Sequence, residues 1–145
     1  MITLQPISNE NIELISQYYK MSVEDKEALL NESEMELHDN KFFKMFAILN
    51  DEKCVGTISL YEHSASVISI GPEVFDEYRR CGYATEAMII AMNIAKSKDY
   101  KIVCQQIRTN NFASMKMHAK LGFETDNYLY VNKNNNNINI YLKSL

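Results

Sequence analysis

The most constraining feature of this sequence is an apolar segment, residues 65–74, that carries Gly71-Pro72 near its end. A run of this length and composition predicts a strand, but proline has no N–H to donate to a neighbouring strand. A regular central strand is therefore not expected to pass through Pro72 undisturbed. We predict a bulge or a separation from the adjacent strand at this point, and such irregularities are common beside active sites.

A polar turn and a long helix follow this strand, and the helix is predicted over residues 83–98. The turn and the first residues of the helix read Arg79-Arg80-Cys81-Gly82-Tyr83-Ala84-Thr85. A helix N-terminus offers unpaired backbone N–H groups and a partial positive charge, which together suit a phosphate. Gly82 and Ala84 keep side-chain bulk away, and two of the chain's three arginines lie in this turn. The pattern suits a pyrophosphate site, although a capped turn with two solvated arginines has the same local pattern.

The other segments alternate between strand-like and helical patterns. Further strands are predicted at residues 2–6, 44–49, 55–61, 101–107, 123–130 and 138–142, and further helices after Ser8, after Ser22 and over residues 111–121. Ser22 and Asp25 form a capping-box pattern, Gly122 is expected to end the last helix, and residues 31–40 are predicted to be a loop or a frayed helix. The order β-α-α-β-β-β-α-β-α-β-β predicts one α/β domain over residues 1–145, with a mixed sheet and helices on both faces.

Composition and charge exclude several classes of function. A net charge of −4 argues against a nucleic-acid or anionic-membrane partner, because such binders need a surplus of lysine and arginine. The three cysteines, Cys54, Cys81 and Cys104, are spaced too widely for a zinc or redox motif, so no metal is expected. The N-terminal residues lack the features of a signal peptide, and no apolar run approaches the roughly 20 residues that span a bilayer. A cytoplasmic protein is expected.

Two blocks of the sequence resemble the GNAT superfamily of N-acetyltransferases. The segment Arg79-x-x-Gly82-x-Ala84 looks like the pyrophosphate motif of that family, and residues 70–87 resemble its branch that acetylates the N-termini of ribosomal proteins. The second block is Asn111-x-x-Ser114 followed by residues 120–123. The resemblance is strongest over residues 54–124 and extends to the whole chain in the order of elements.

The resemblance implies a GNAT-like fold with a splayed pair of central strands, and acetyl-CoA as cosubstrate. The backbone at the splayed strand is then expected to hold the pantetheine arm, with N–H groups at Val74 or its neighbours directed at the thioester carbonyl. The residues expected to bind the cosubstrate are Val74, Arg79, Arg80, Cys81, Gly82, Tyr83, Ala84, Thr85, Asn111 and Ser114.

The candidate catalytic residues lie on the last helix and on the splayed strand. At 100° per residue, Asn111, Ser114 and His118 share one helix face, and the family often has a tyrosine at the last of these positions that protonates the leaving thiolate. His118 is predicted to supply that proton here, and the alternative is that it only lines the groove. Glu73 is the one carboxylate on the splayed segment and is the candidate base, because Gln106 occupies a position where some family members have a glutamate.

The expected reaction is direct attack of a primary amine on acetyl-CoA in a ternary complex. The amine, a small molecule or a protein N-terminus, is not identified by the sequence, and the chain is expected to be a monomer or a homodimer. The alternative is a noncatalytic CoA-binding or interaction domain that retains the same fold, as Gln106 suggests. The polar residues Tyr61, Glu62 and His63 are interpreted as a solvated loop.

Overall fold

A computed structural model describes all residues, 1–145, as a nine-stranded sheet with four helices. The helices are α1 Ile12–Tyr19, α2 Val23–Met35, α3 Tyr83–Ser97 and α4 Phe112–Lys120, with a single 3₁₀ turn at Asp76–Tyr78. The strands are β1 Ile2–Pro6, β2 Leu37–His38, β3 Lys41–Asn50, β4 Lys53–Ser64, β5 Val67–Val74, β6 Ile102–Arg108, β7 Glu124–Thr125, β8 Tyr130–Val131 and β9 Asn137–Ser144. None of the helices has the length and hydropathy needed to cross a bilayer.

The sheet is mixed, as predicted, and helices cover both of its faces. Its strand order is β1-β3-β4-β5-β6-β9-β7, with β2 added to β3 and β8 added to β9. Every pairing is antiparallel except the one between β5 and β6. Ile48 on β3 packs in the main core with Met88 of α3, whereas its neighbour Ala47 packs with Ile12 and Ile15 of α1. Alternation along β3 therefore sends successive side chains to opposite helical layers.

The two central strands, β5 and β6, separate shortly after they begin. They pair only at Val67 with Ile102 and at Ile68 with Val103. Beyond these two positions the parallel ladder stops, so that β5 and β6 form a V that opens toward the start of α3. This separation is the splay that the sequence predicted.

Pro72 does not disturb the strand that contains it, so a bulge at this point is not found. Strand β5 pairs with β4 without a register shift from Gly56 opposite Val74 to Glu62 opposite Ile68. Phe75 donates its N–H to β4, and antiparallel bonding alternates, so the nitrogen of Pro72 faces the open side of β5. The missing N–H costs no ladder bond because no strand pairs with that side.

Local signals placed some boundaries correctly and others wrongly. The capping box of Ser22 and Asp25 is present at the start of α2. The first helix begins at Ile12 instead of directly after Ser8, because the Asn11 side chain closes the turn by accepting from Ser8 N at 3.0 Å. Residues 31–40 are not a loop: α2 continues to its end at residue 35 and β2 follows it. The predicted strand over residues 123–130 is reduced to β7 and one residue of β8.

Candidate functional site

The start of α3 presents a continuous run of unpaired backbone donors. The first hydrogen bond of this helix runs from Glu86 N to Gly82 O at 3.2 Å, and no N–H of residues 80–85 donates to any other group. Arg80 and Gly82 both have positive φ, of 65° and 80°, so the turn folds around Cys81 as a concave nest of amides. Consecutive amides in such a nest, at the positive end of a helix dipole, form an anion site.

The backbone of Gly82 and the space above it both favour a ligand at this turn. Its left-handed φ is strained for any residue with a Cβ. A Cβ built at this position meets no atom within 4 Å, so the space above the turn is open to a ligand. The side chain of Tyr83 is directed elsewhere, because its hydroxyl accepts from Asn50 Nδ2 at 3.0 Å and ties the helix start to β3.

The two arginines of the turn have different surroundings. Arg79 donates from Nε to Val74 O at 3.2 Å and pairs with Asp76 at 3.0 Å, so it links the turn to the end of β5. Arg80 forms no ion pair. The exposed thiol of Cys81 lies 3.6 Å from the Arg79 carbonyl oxygen and has no base beside it.

Inside the V, the side chain of Gln105 bridges the gap between the two strands. Its Oε1 accepts from Ile70 N at 2.9 Å, and its Nε2 donates to Ile70 O at 2.5 Å. Gln105 is only 6% exposed. Its carboxamide therefore replaces, for one position, the backbone ladder that β6 no longer supplies.

The bridge continues into α4 through His118. Gln105 Nε2 lies 3.2 Å from His118 Nε2, and His118 Nδ1 lies 2.8 Å from the carbonyl oxygen of Ser114. A carbonyl only accepts, so Nδ1 carries the proton and Nε2 accepts from Gln105. His118 is 2% exposed, and burial lowers the pKa of its imidazole. Both nitrogens of the neutral ring are thus engaged, and proton donation to a thiolate requires one of these bonds to open.

The predicted helix face of Asn111, Ser114 and His118 is only partly brought together. Asn111 caps α4 by accepting from Ser114 N at 3.1 Å. The Ser114 hydroxyl lies 3.3 Å from His118 Nδ1. Ser114 and His118 line the cavity in the V, whereas Asn111 does not.

This cavity has a volume of about 650 Å³ and lies between the separated strands. It is lined by residues of β4, β5, β6, α4 and the loop before β9: Tyr61, His63, Val67, Ser69, Ile70, Gly71, Pro72, Cys104, Gln105, Gln106, Ile107, Ser114, His118 and Lys133. No carboxylate is among them. Tyr61 and His63, interpreted from the sequence as a solvated loop, instead belong to β4 and line the cavity, because the register of the hairpin sets Tyr61 opposite Ser69.

Glu73 is exposed and lies outside this cavity, on β5, where it pairs with Thr57 of β4. The Thr57 hydroxyl is 3.0 Å from the hydroxyl of Tyr19, which comes from the end of α1. Burial raises the pKa of Tyr19 to about 12, and the charge of Glu73 acts in the same direction. Tyr19 therefore stays protonated near neutral pH. No three histidine, cysteine or acidic side chains are grouped to hold a metal ion.

Comparisons with known proteins agree with this geometry. The sequence profile of the acetyltransferase (GNAT) domain matches residues 5–124. No curated protein matches the chain significantly by sequence. Three solved structures have the same fold at low identity. RimL, the ribosomal L7/L12 alpha-N-protein acetyltransferase in complex with coenzyme A, is 14% identical with a TM-score of 0.81, over 99% of this chain and 94% of that one.

The other two structures are N-acetyltransferases from Vibrio cholerae and Campylobacter jejuni. Spermidine N-acetyltransferase from Vibrio cholerae, in complex with CoA and spermine, is 14% identical with a TM-score of 0.75, over 99% of this chain and 95% of that one. N-acetyltransferase PseH from Campylobacter jejuni, in complex with acetyl coenzyme A, is 18% identical with a TM-score of 0.73, over 99% of both chains.

Proposed function

We propose that this chain, which belongs to the GNAT family of acetyltransferases, transfers the acetyl group of acetyl-CoA to a primary amine by direct attack in a ternary complex. The observation that carries the proposal is the run of unpaired N–H groups at residues 80–85, set at the open end of a splayed strand pair. A polyanionic cosubstrate with a long, amide-bearing arm fits both features at once.

The backbone of β5 limits where the arm of the cosubstrate is held. Three residues of β5 direct backbone groups into the V: Ile70, Pro72 and Val74. The N–H of Ile70 is taken by Gln105, and Pro72 has none, so Val74 carries the one free donor of this edge. We assign Val74 N–H to the pantetheine arm, which leaves the thioester to lie farther along the V.

The arrangement of nucleophilic side chains supports direct attack over a covalent acyl-enzyme. Burial raises the pKa of the Cys54 and Cys104 thiols, which disfavours their thiolates. Ser69 contacts His63, but its hydroxyl donates to Cys104 O, so the histidine does not take its proton. Activation of a serine requires the base to accept from the hydroxyl.

The lining of the cavity supports one class of acceptor. Lys133, His63 and His118 are its basic groups, and no carboxylate is present to pair with a second ammonium. A charge without a partner is costly to desolvate. We therefore favour a primary amine whose other groups are neutral or anionic, a small molecule or a protein N-terminus, over a polyamine. We place the enzyme in the cytoplasm, as a monomer or a homodimer.

A second candidate is a CoA-binding domain without turnover. It is favoured by the scarcity of polarising donors on β5, where Pro72 lacks an N–H and that of Ile70 is occupied, and by the neutral Gln106. This candidate shares the phosphate site but predicts no transfer.

The two candidates are separated by measuring binding and transfer in parallel. Acetyl-CoA at a hundred times its dissociation constant is expected to raise the free energy of unfolding by about 2.7 kcal/mol. Release of CoA thiol is then followed with a short peptide bearing a free N-terminus, an amino sugar, and spermidine. Stabilisation with thiol release supports the enzyme, and stabilisation without release from any amine supports the binding domain. No stabilisation at millimolar acetyl-CoA contradicts both.

A further inference from the structure

A histidine outside the predicted site lines the cavity in the V, is exposed to solvent and has one ring nitrogen without a hydrogen-bond partner. We propose that His63 is the general base that takes a proton from the attacking amine, an inference that rests on the proposed transferase function. His63 lines the cavity in the V beside Ser69. Glu73, the base expected from the sequence, lies outside that cavity.

The position of His63 on β4 is set by a β-bulge. Glu62 pairs with Ile68 and Ser64 pairs with Val67, so His63 is the extra residue of β4 with no partner on β5. Bulges of this kind turn a side chain away from the regular pleat and are frequent next to active sites. Glu62 is directed away from the cavity, since it accepts from Tyr100 OH at 2.7 Å.

Hydrogen bonds fix which nitrogen of His63 is free. The Ser69 hydroxyl donates its only proton to the carbonyl oxygen of Cys104, so it accepts from His63 Nε2 at 2.5 Å. Nε2 therefore carries the proton of the neutral ring, and the lone pair is on Nδ1, which has no hydrogen-bond partner. The Ser69–Cys104 relay thus holds the imidazole in the tautomer that a base requires.

None of the groups around the ring forms a hydrogen bond or an ion pair with Nδ1 of His63. Tyr61 meets the ring edge-on, with 5.9 Å between centroids, and Lys41 donates to the backbone carbonyl of His63 at 2.9 Å. Lys133 lines the same cavity, and no carboxylate does. No acidic side chain forms an ion pair with His63. Nδ1 is therefore open to a ligand, because the side chain of His63 is exposed to solvent.

The proposed step balances without any further reactant. The amine nitrogen bonds to the carbonyl carbon of the thioester, the C–S bond breaks, and the sulfur leaves with the bonding pair. Nδ1 of His63 takes the proton that the nitrogen loses, and the thiolate is protonated by solvent. The imidazolium then returns its proton to water. Ser69 acts only as a positioning residue, because it does not touch the reacting atoms.

The experiment compares the parent chain with His63→Ala and with the control His38→Ala, an exposed histidine on β2 that does not line the cavity. Thiol release is measured with acetyl-CoA and the peptide, amino sugar and spermidine panel, with and without added imidazole. General bases typically contribute about a hundredfold or more. We expect His63→Ala to lose about that much kcat, to keep its acetyl-CoA affinity, and to regain part of the rate with imidazole. His38→Ala is expected to keep the parent rate.

A second measurement does not depend on the acceptor. The ¹⁵N shifts of the His63 ring near neutral pH are expected to report the Nε2–H tautomer, and Ser69→Ala is expected to shift the population toward Nδ1–H. The proposal is overturned if His63→Ala keeps kcat within threefold of an active parent, or if the parent ring is in the Nδ1–H form. Loss of rate in Glu73→Gln together with an active His63→Ala assigns the base to Glu73. A parent that binds acetyl-CoA, has the Nε2–H tautomer and acetylates no amine instead contradicts the proposed function.

Discussion

The side chain of Gln105 pairs with the backbone of Ile70 in the manner of a neighbouring strand, with bonds of 2.9 Å to the N–H and 2.5 Å to the C=O. The bridge satisfies two backbone groups at the point where β5 and β6 part. It spans the V from β6 to β5 at this position. The same carboxamide contacts His118, which couples the V to α4.

We predict that Gln105→Leu destabilises the fold strongly. Leucine matches the volume but leaves the N–H and C=O of Ile70 and one nitrogen of His118 without partners. Each buried polar group left unpaired costs about 1–3 kcal/mol, so the three groups together are expected to cost at least about 3 kcal/mol in urea unfolding. The control is Gln106→Leu, next along β6 but exposed, which is expected to change stability by less than about 0.5 kcal/mol. Equal losses in the two variants would contradict the role given to the bridge.

Gly82→Ala is predicted to weaken acetyl-CoA binding more than it weakens the fold. The change introduces a Cβ at φ of 80°, which strains the nest and redirects its amides. The matched control is Gly122→Ala, because Gly122 ends α4 with φ of 87° and lies away from the nest. Both variants are expected to lose about 1 kcal/mol of stability. Calorimetric titration with acetyl-CoA is expected to show at least tenfold weaker binding for Gly82→Ala but not for Gly122→Ala. The same affinity in both variants would show that the nest does not bind the phosphates.

Stability is predicted to fall in mild acid because of His118. Burial lowers the pKa of this histidine in the folded chain below its ordinary value of 6.5. Between these two pKa values the unfolded chain binds more protons than the folded chain. The contribution of His118 to the free energy of unfolding is therefore complete above about pH 6.5 and decreases as pH falls below it. Protonation of His118 also places a hydrogen on Nε2, which then faces the N–H that Gln105 donates to it. Urea unfolding from pH 7.5 to 5 is the measurement, and His118→Gln is expected to show a flatter profile, since all other titrating groups are shared. Parallel profiles would show that His118 does not contribute.

The role of His118 as proton donor stays a prediction that kinetics can test. If His118 is the proton donor, His118→Ala lowers kcat by about a hundredfold while acetyl-CoA affinity changes little. The two hydrogen bonds of the neutral ring favour the other result, a turnover within a few-fold of the parent, with reduced stability. Thiol release by enzyme kept well below its unfolding midpoint distinguishes the two results.

Features that depend on neighbouring residues were predictable from the sequence. The turn before α3 follows from Gly82, which tolerates positive φ, and from a helix start, which leaves amides unpaired in any context. The capping box at Ser22 is equally local. The order of the helices and of the longer strands followed from periodicity, whereas the short strands β2 and β8 were not predicted. The splay was expected at Pro72 but begins after Ile68, and Pro72 is not its cause.

Features that depend on strand register were decided only by the tertiary structure. Gln105 meets Ile70 across 35 positions of sequence, and only the parallel pairing at the start of β5 and β6 aligns them. His63 enters the cavity because a bulge in β4 leaves it unpaired opposite β5, and its free nitrogen is set by Ser69 and Cys104 from two other strands. A one-residue change of register turns every side chain of a strand to the opposite face, and no local pattern encodes that choice.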